Sequence, residues 1–252
     1  MCGRLTLSAT PDEVRRLFGH DDRPNFPPRY NIAPTQPLAI VTRFEGRRRF
    51  MLVRWGLIPS WAKNPADLPL LINARAETAA DKPSFRGALR HRRMLVPTSG
   101  FYEWRAARGK EPKQPFFIRP AATTLTAFAG IWETFMGADG SEIDTAAILT
   151  VPANGLIGQI HDRMPAVVQP QDFDRWLDCR DTSIAEALPL IAPVADDFFE
   201  AYPVSTRVNK VSNDDEELVV PLSEALSAPQ PQPVGTQEDP KADLFGQAGL
   251  RR

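Results

Sequence analysis

Cys2 is the first residue whose type and position invite chemistry. A small side chain at position two ordinarily goes with removal of the initiator Met, which would leave a free α-amine and a thiol on one carbon. Unperturbed pKa values of about 7.7–8 for the amine and about 8.5 for the thiol leave both nucleophiles partly available near neutrality. Such an aminothiol can attack a carbonyl with its own amine as base. It can also condense with an aldehyde to an imine, which the thiol closes to a thiazolidine. His161, one of three histidines, follows an apolar run and the turn Pro152-Ala153-Asn154-Gly155. Sites at strand ends use histidine for acid–base work, and a purely structural His fits the same pattern. Glu103 lies in Gly100-Phe101-Tyr102-Glu103-Trp104. Buried among aromatics it would hold and shuttle a proton; facing outward it would be an ordinary strand carboxylate. Asn73 and Arg75 alternate after Leu70-Leu71-Ile72, so a strand would set both on one face, toward a groove or toward solvent.

Cations and aromatics accompany these groups. Arg86, Arg90, Arg92 and Arg93 with His91 form a dense basic segment, Arg4 lies two residues from Cys2, and Trp55, Trp61 and Trp104 share the same half. Phosphate-binding cations with aromatic platforms suit a single-stranded nucleic acid, although a basic helix face is also simply well solvated. Residues 1–110 carry 20 Lys/Arg against 9 Asp/Glu, a net +11, while residues 111–252 carry 10 against 22, a net −12. The basic half is therefore where an anionic partner belongs. No phosphate-binding Gly-rich loop, dinucleotide fingerprint or His-Glu-x-x-His motif competes with this reading.

The elements that must position these residues are mostly strands. Thr10-Pro11-Asp12-Glu13 is a capping box with proline at the first helical position, opening a helix that Gly19 stops. The Pro-rich stretch from there to Pro37 reads as an irregular loop. Strands are predicted at Leu38–Arg43 and Arg49–Gly56 around the turn Glu45-Gly46, then at Leu70–Ala74, Met94–Trp104, Phe116–Arg119, Leu125–Trp132 and Ala146–Val151. Ser84–Arg93 reads as a helix capped by Ser84, and acidic helices are expected at Gln171–Leu177 and Ser183–Leu188. Successive strands with helices toward both ends predict an α+β class, a single domain over residues 1–226. Residues 227–252 lack a core-forming pattern and predict a disordered tail.

At 252 residues the chain buries enough surface to fold without a disulfide or metal. Two cysteines exclude a disulfide framework and a cysteine-based zinc cluster, and no cofactor or metal is expected. No apolar run approaches a membrane span and the first residues carry no signal-peptide pattern, so a cytoplasmic protein without membrane contact is expected.

Taken together, the segments resemble the SOS-response-associated peptidase family. The matches are Met1-Cys2-Gly3-Arg4, Tyr30-Asn31-Ile32-Ala33-Pro34-Thr35, Trp55–Trp61, Asn73-Ala74-Arg75-Ala76-Glu77-Thr78, Ser84-Phe85-Arg86, Pro97–Trp104, Ile160-His161-Asp162-Arg163-Met164-Pro165 and Pro203–Asn209. They run in order from residue 1 to about 222. The resemblance implies a curved, barrel-like mixed sheet with flanking helices and a protein that senses abasic sites in single-stranded DNA. It further implies that mature Cys2 crosslinks to the ring-opened sugar aldehyde through a thiazolidine, shielding the lesion. Asn73 would orient the N-terminus and sugar, Glu103 would handle protons in imine formation, and His161 would assist ring opening or reversal. Arg4, Arg75, Arg86 and Arg163 would hold phosphates, with Trp61 and Trp104 shaping the groove. Peptidase chemistry would mean at least removal of Met1. The rival from another class is an N-terminal-nucleophile glutaminase, whose chains also start Met-Cys-Gly. In the tail, Asp243-Leu244-Phe245 resembles the peptides by which repair proteins dock on a replication sliding clamp, with Lys241 where Gln is expected. The expected form is a monomer.

Overall fold

The capping box at Thr10 forms as read: Thr10 and Glu13 bond reciprocally, and Gly19, in the left-handed region at φ 64°, closes the helix on Arg15 O. That helix is α1 (Pro11–Phe18), and it follows β1 (Leu5–Leu7). The computed structural model describes residues 2–106, 112–223 and 226. After α1 come β2 (Arg29–Ile32), β3 (Pro37–Phe44), β4 (Arg47–Trp55) and β5 (Asn73–Arg75), which leads into helices α2 (Ala76–Ala79) and α3 (Pro83–His91). Five strands follow: β6 (Arg93–Thr98), β7 (Gly100–Arg105), β8 (Gln114–Pro120), β9 (Thr126–Met136) and β10 (Glu142–Pro152). The last elements are β11 (Arg163–Pro165), α4 (Phe173–Leu177), α5 (Ile184–Ala187) and β12 (Phe199–Pro203).

These strands make two sheets. In the larger, β10, β4, β3, β6 and β9 pair in succession and β9 pairs back onto β10, closing a five-stranded barrel. The β10–β4 pairing is parallel and the others antiparallel, so the ring is mixed, as expected. Closure leaves these five strands little unpaired edge. β5 and β11 extend β10 toward its C-terminal end. The smaller sheet, in the order β12-β8-β7-β1-β2, is antiparallel throughout. The fold is α+β, and apolar side chains of both sheets pack into one core that includes Trp55, Leu95, Phe101 and Phe128.

Several expectations need correction. The single strand read over Met94–Trp104 is two strands in different sheets, joined at Ser99. Gly100 permits the crossing: a Cβ there would meet Phe117 Cζ at 2.4 Å and Ile118 O at 2.8 Å. The loop read between Gly19 and Pro37 contains β2, because Arg29–Ile32 pairs with β1. The helix over 84–93 begins at Pro83, whose fixed φ opens the first turn, and no side chain caps it. The strand expected over Leu70–Ala74 is β5, three residues later in start, with Leu71 only bridging Leu57. β1 and β12, too short or too irregular in pattern to stand out, were not predicted. The clamp-like segment Asp243-Leu244-Phe245 lies outside the described residues. No helix among the described residues is long and apolar enough to cross a membrane.

Candidate active site and nucleic-acid interface

β1 pairs antiparallel with β7, Leu5 opposite Phe101, and the Tyr102 N–H donates to Arg4 O at 3.0 Å. Continued one step past Arg4, this register sets Gly3 opposite Glu103, and Cys2 lies near enough to feel the Glu103 charge. The barrel supplies the opposite wall. β5 pairs with β10 (Asn73 opposite Ile148), and Asn73 Nδ2 donates to Cys2 O at 2.8 Å. His161 stands just before β11, after a turn that Asn154 organises: its Oδ1 accepts from Ile157 N–H at 2.9 Å, while its Nδ2 reaches the carbonyls of Val194 and Ala195. Cys2, Asn73, Glu103 and His161 come from four distant segments. The structure brings them together between the two sheets, two from each side.

Electrostatics couples Cys2, Glu103 and His161. Cys2 is 1% exposed. Burial pushes its thiol well above the ordinary thiol range, the Glu103 charge adds to that, and the Arg4 N–H pulls the other way. Burial likewise raises the Glu103 carboxyl, opposed by the His161 charge. Asn73 Oδ1 is buried beside Cys2 without a hydrogen-bond partner among the described residues, an acceptor open to a donor. His161 Nδ1 has two neighbours. It accepts from the Arg163 N–H at 3.0 Å, and Asp162 Oδ1 stands 2.9 Å away. The two contacts suit opposite proton occupancies, an empty Nδ1 for Arg163 and a protonated one for Asp162.

The six residues assigned to DNA separate into two groups. Arg75 and Arg86 are exposed and make no ion pair among the described residues. Trp61 is 56% exposed and lines a hollow of about 200 Å³ with Pro59, Ser60 and Arg86. Arg4, Trp104 and Arg163 are held instead. Arg4 Nη1 donates to Asn31 Oδ1 at 2.7 Å and Val208 O at 2.6 Å, and its guanidinium lies 5.7 Å from the Trp104 ring centre. Trp104 Nε1 donates to Asn209 Oδ1 at 2.8 Å. Arg163 forms a bidentate pair with Glu77 at 2.6 and 2.8 Å and donates to Thr150 O at 2.5 Å. Its partner is thus Glu77, and Asp162 faces His161.

Other members of the basic segment are structural. Arg93 is 1% exposed and donates to the carbonyls of Leu89, Trp176, Asp178 and Thr182, pinning α4 to the barrel. Arg92 pairs with Glu133 and sits over Trp132. Trp55 is fully buried, with Nε1 donating to Ile72 O, and offers no platform for a base. Cys179 accepts from the Arg93 N–H at 3.3 Å, away from Cys2. Sequence reasoning passed over Asn31 as a working residue. Fully buried, it joins Arg4 to the carbonyls of Val208, Lys210 and Asn213. Its one sequence signal was a place inside a matching segment.

A family model described as SOS response associated peptidase (SRAP) matches residues 1–211. The abasic site processing protein YoqW of Bacillus subtilis is 37% identical over 222 residues, covering 87% of this chain and 99% of that protein. The abasic site processing protein YedK of Escherichia coli is 33% identical over 230 residues, covering 88% of this chain and 100% of that protein. A crystal structure of a protein from Bacteroides thetaiotaomicron superposes with a TM-score of 0.79 at 26% identity, covering 87% of this chain and 99% of that one.

Proposed function

Because this chain belongs to the SOS response associated peptidase family, we propose that it processes abasic sites in single-stranded DNA by covalent capture on Cys2. The observation that carries the reading is the convergence of Cys2, Asn73, Glu103 and His161 between the two sheets.

Removal of Met1 exposes the α-amine of Cys2. With its thiol kept protonated by burial, the amine is the first nucleophile and attacks the sugar aldehyde. Burial makes Glu103 hold a proton more firmly than an exposed carboxylate does, so it can protonate the departing hydroxyl as the imine forms. The thiol then adds to the imine carbon and closes the thiazolidine. Asn73 holds the Cys2 carbonyl and offers its empty Oδ1 to the new amine. His161 exchanges protons with Glu103. Arg75, Arg86 and Trp61 receive the strand on the exposed side, and Arg4, Trp104 and Arg163 shape its inner wall. The protein works as a soluble monomer, and the Asp243-Leu244-Phe245 segment tethers it to a sliding clamp, a reading that titration of the tail peptide against the clamp checks.

The decisive experiment is incubation with single-stranded DNA bearing one abasic site, followed by denaturing electrophoresis and intact-mass analysis. A band that survives denaturation, lost in Cys2→Ser or left as a weaker reducible imine, supports capture. An active protein that retains Met1 sinks the mechanism. Ammonia release from glutamine without DNA capture would favour the glutaminase instead.

A further inference from the structure

Capture on Cys2 creates a proton that must leave a buried site. An α-amine with a pKa of about 7.7–8 is mostly ammonium at neutral pH. Ammonium, thiol and aldehyde combine to a thiazolidine, one water and one proton: a C–N and a C–S bond form, and the C=O bond breaks. Glu103 can take that proton, yet it is 3% exposed. His161 lies close enough for its charge to act on Glu103, and its side chain is 25% exposed. Beyond it stands Asp162, 83% exposed, with Oδ1 2.9 Å from His161 Nδ1. Exposure therefore rises along Glu103, His161 and Asp162, from the core to water.

We propose that Asp162 is the proton outlet of the crosslinking centre, accepting from His161 Nδ1 the proton that His161 relays from Glu103. This rests on the capture reading above. The arrangement at Nδ1 serves both halves of a relay. Asp162 receives the proton when Nδ1 carries one, and the Arg163 N–H, 3.0 Å away, fills the lone pair once it has gone. The Arg163 backbone is fixed by its pairing with Pro152 across β11 and β10 and by the grip of Glu77 on its guanidinium. The ring is thus aligned whichever state it is in. Among the described residues, the charged groups set against His161 include Glu103 from β7 and Asp162 on its own segment, while the neighbouring Arg163 is paired with Glu77. By microscopic reversibility the same outlet readmits the proton when the adduct hydrolyses.

The test is the single-turnover rate of adduct formation by wild type, Asp162→Ala and Asp162→Asn at low buffer concentration, repeated with added formate or imidazole. A primary acid–base group is worth roughly 10²–10⁴-fold; an outlet that water partly replaces falls below this, at roughly tenfold. Both variants should slow by that factor, regain rate with added buffer and release the adduct equally slowly, at unchanged DNA affinity. Asn keeps the shape but accepts no proton, so it should behave like Ala. Wild type should be indifferent to buffer. Variants at the wild-type rate, or slowed variants that buffer does not rescue, overturn the outlet. Absence of any adduct with wild type overturns the capture reading itself.

Discussion

Replacing Asn31 with Ala should loosen the domain more than any exposed change, and the network around it sets the size. The amide orientation is not arbitrary. Arg4 can only donate and the three carbonyls can only accept, so Oδ1 must face Arg4 and Nδ2 the carbonyls. A bond to a charged partner contributes about 1.5–3 kcal/mol and a neutral one about 0.5–1.5 kcal/mol. Asn31 makes one of the first kind, to Arg4 at 2.7 Å. Its two amide hydrogens make two of the second kind. One goes to Asn213 O at 2.6 Å, the other is shared between Lys210 O at 3.2 Å and Val208 O at 3.3 Å. The expected loss is about 2.5–6 kcal/mol, and at roughly 2–4 °C per kcal/mol for a chain of this size that is a fall of roughly 5–24 °C in Tm. Asn31→Asp separates the halves: it keeps the acceptor for Arg4 but turns lone pairs toward the carbonyls, so it should fall between Ala and wild type. Urea unfolding followed by fluorescence measures both. A loss below about 1 kcal/mol in Asn31→Ala, or an Asp variant as stable as wild type, would refute the reasoning.

Glu103→Gln should slow adduct formation by roughly 10²–10⁴-fold while DNA affinity stays nearly constant; stopped-time crosslinking and anisotropy titrations read the two separately. Arg75→Ala and Arg86→Ala should each weaken single-stranded DNA binding regardless of sequence and reduce the salt slope by roughly 0.7 per lost phosphate contact. A slope equal to wild type removes that residue from the groove. His20, 3% exposed, donates Nδ1–H to Asp22 O at 3.0 Å and buries Nε2 without a partner among the described residues, and burial lowers its pKa in the fold. The unfolded chain then binds the extra proton first, and stability should fall as pH drops below about 6.5. His20→Phe should flatten that part of the stability–pH curve measured by thermal unfolding.

Local signals were read well where one residue type dictates one geometry. Thr10, Pro11 and Glu13 specify a helix start, and Glu45-Gly46, at φ 48° and 80°, specify the tight turn of the β3–β4 hairpin. The crossing at Ser99 was illegible, because Met94–Trp104 is apolar on both sides of it and the reason for Gly100 lies in Phe117, distant in sequence. Arg93 misled for a similar reason: a cation beside other cations reads as a surface patch until α4 folds over it. Cys2, Glu103 and His161 were recognisable as chemistry-bearing types, whereas their meeting depends on which sheet each strand joins.

The burial of Cys2 has a consequence in time. Arg4 is latched by Val208, and Asn31 by Asn213, so the N-terminal segment is closed only when the chain beyond residue 213 has been made. At about 5–20 residues per second of synthesis, that leaves a window of roughly 10–40 s in which the start of the chain is open to an outside peptidase. Afterwards Cys2 is 1% exposed, with its carbonyl held by Asn73, so the protein's own groups are the nearest ones to it. Under the proposed chemistry, two routes for the loss of Met1 are an outside peptidase during synthesis and the action of the finished site. Refolding a chain that still carries Met1, in the absence of any peptidase, and following its intact mass separates the two: loss of Met1 means the site processes itself, and retention means the ribosome-bound chain was the substrate.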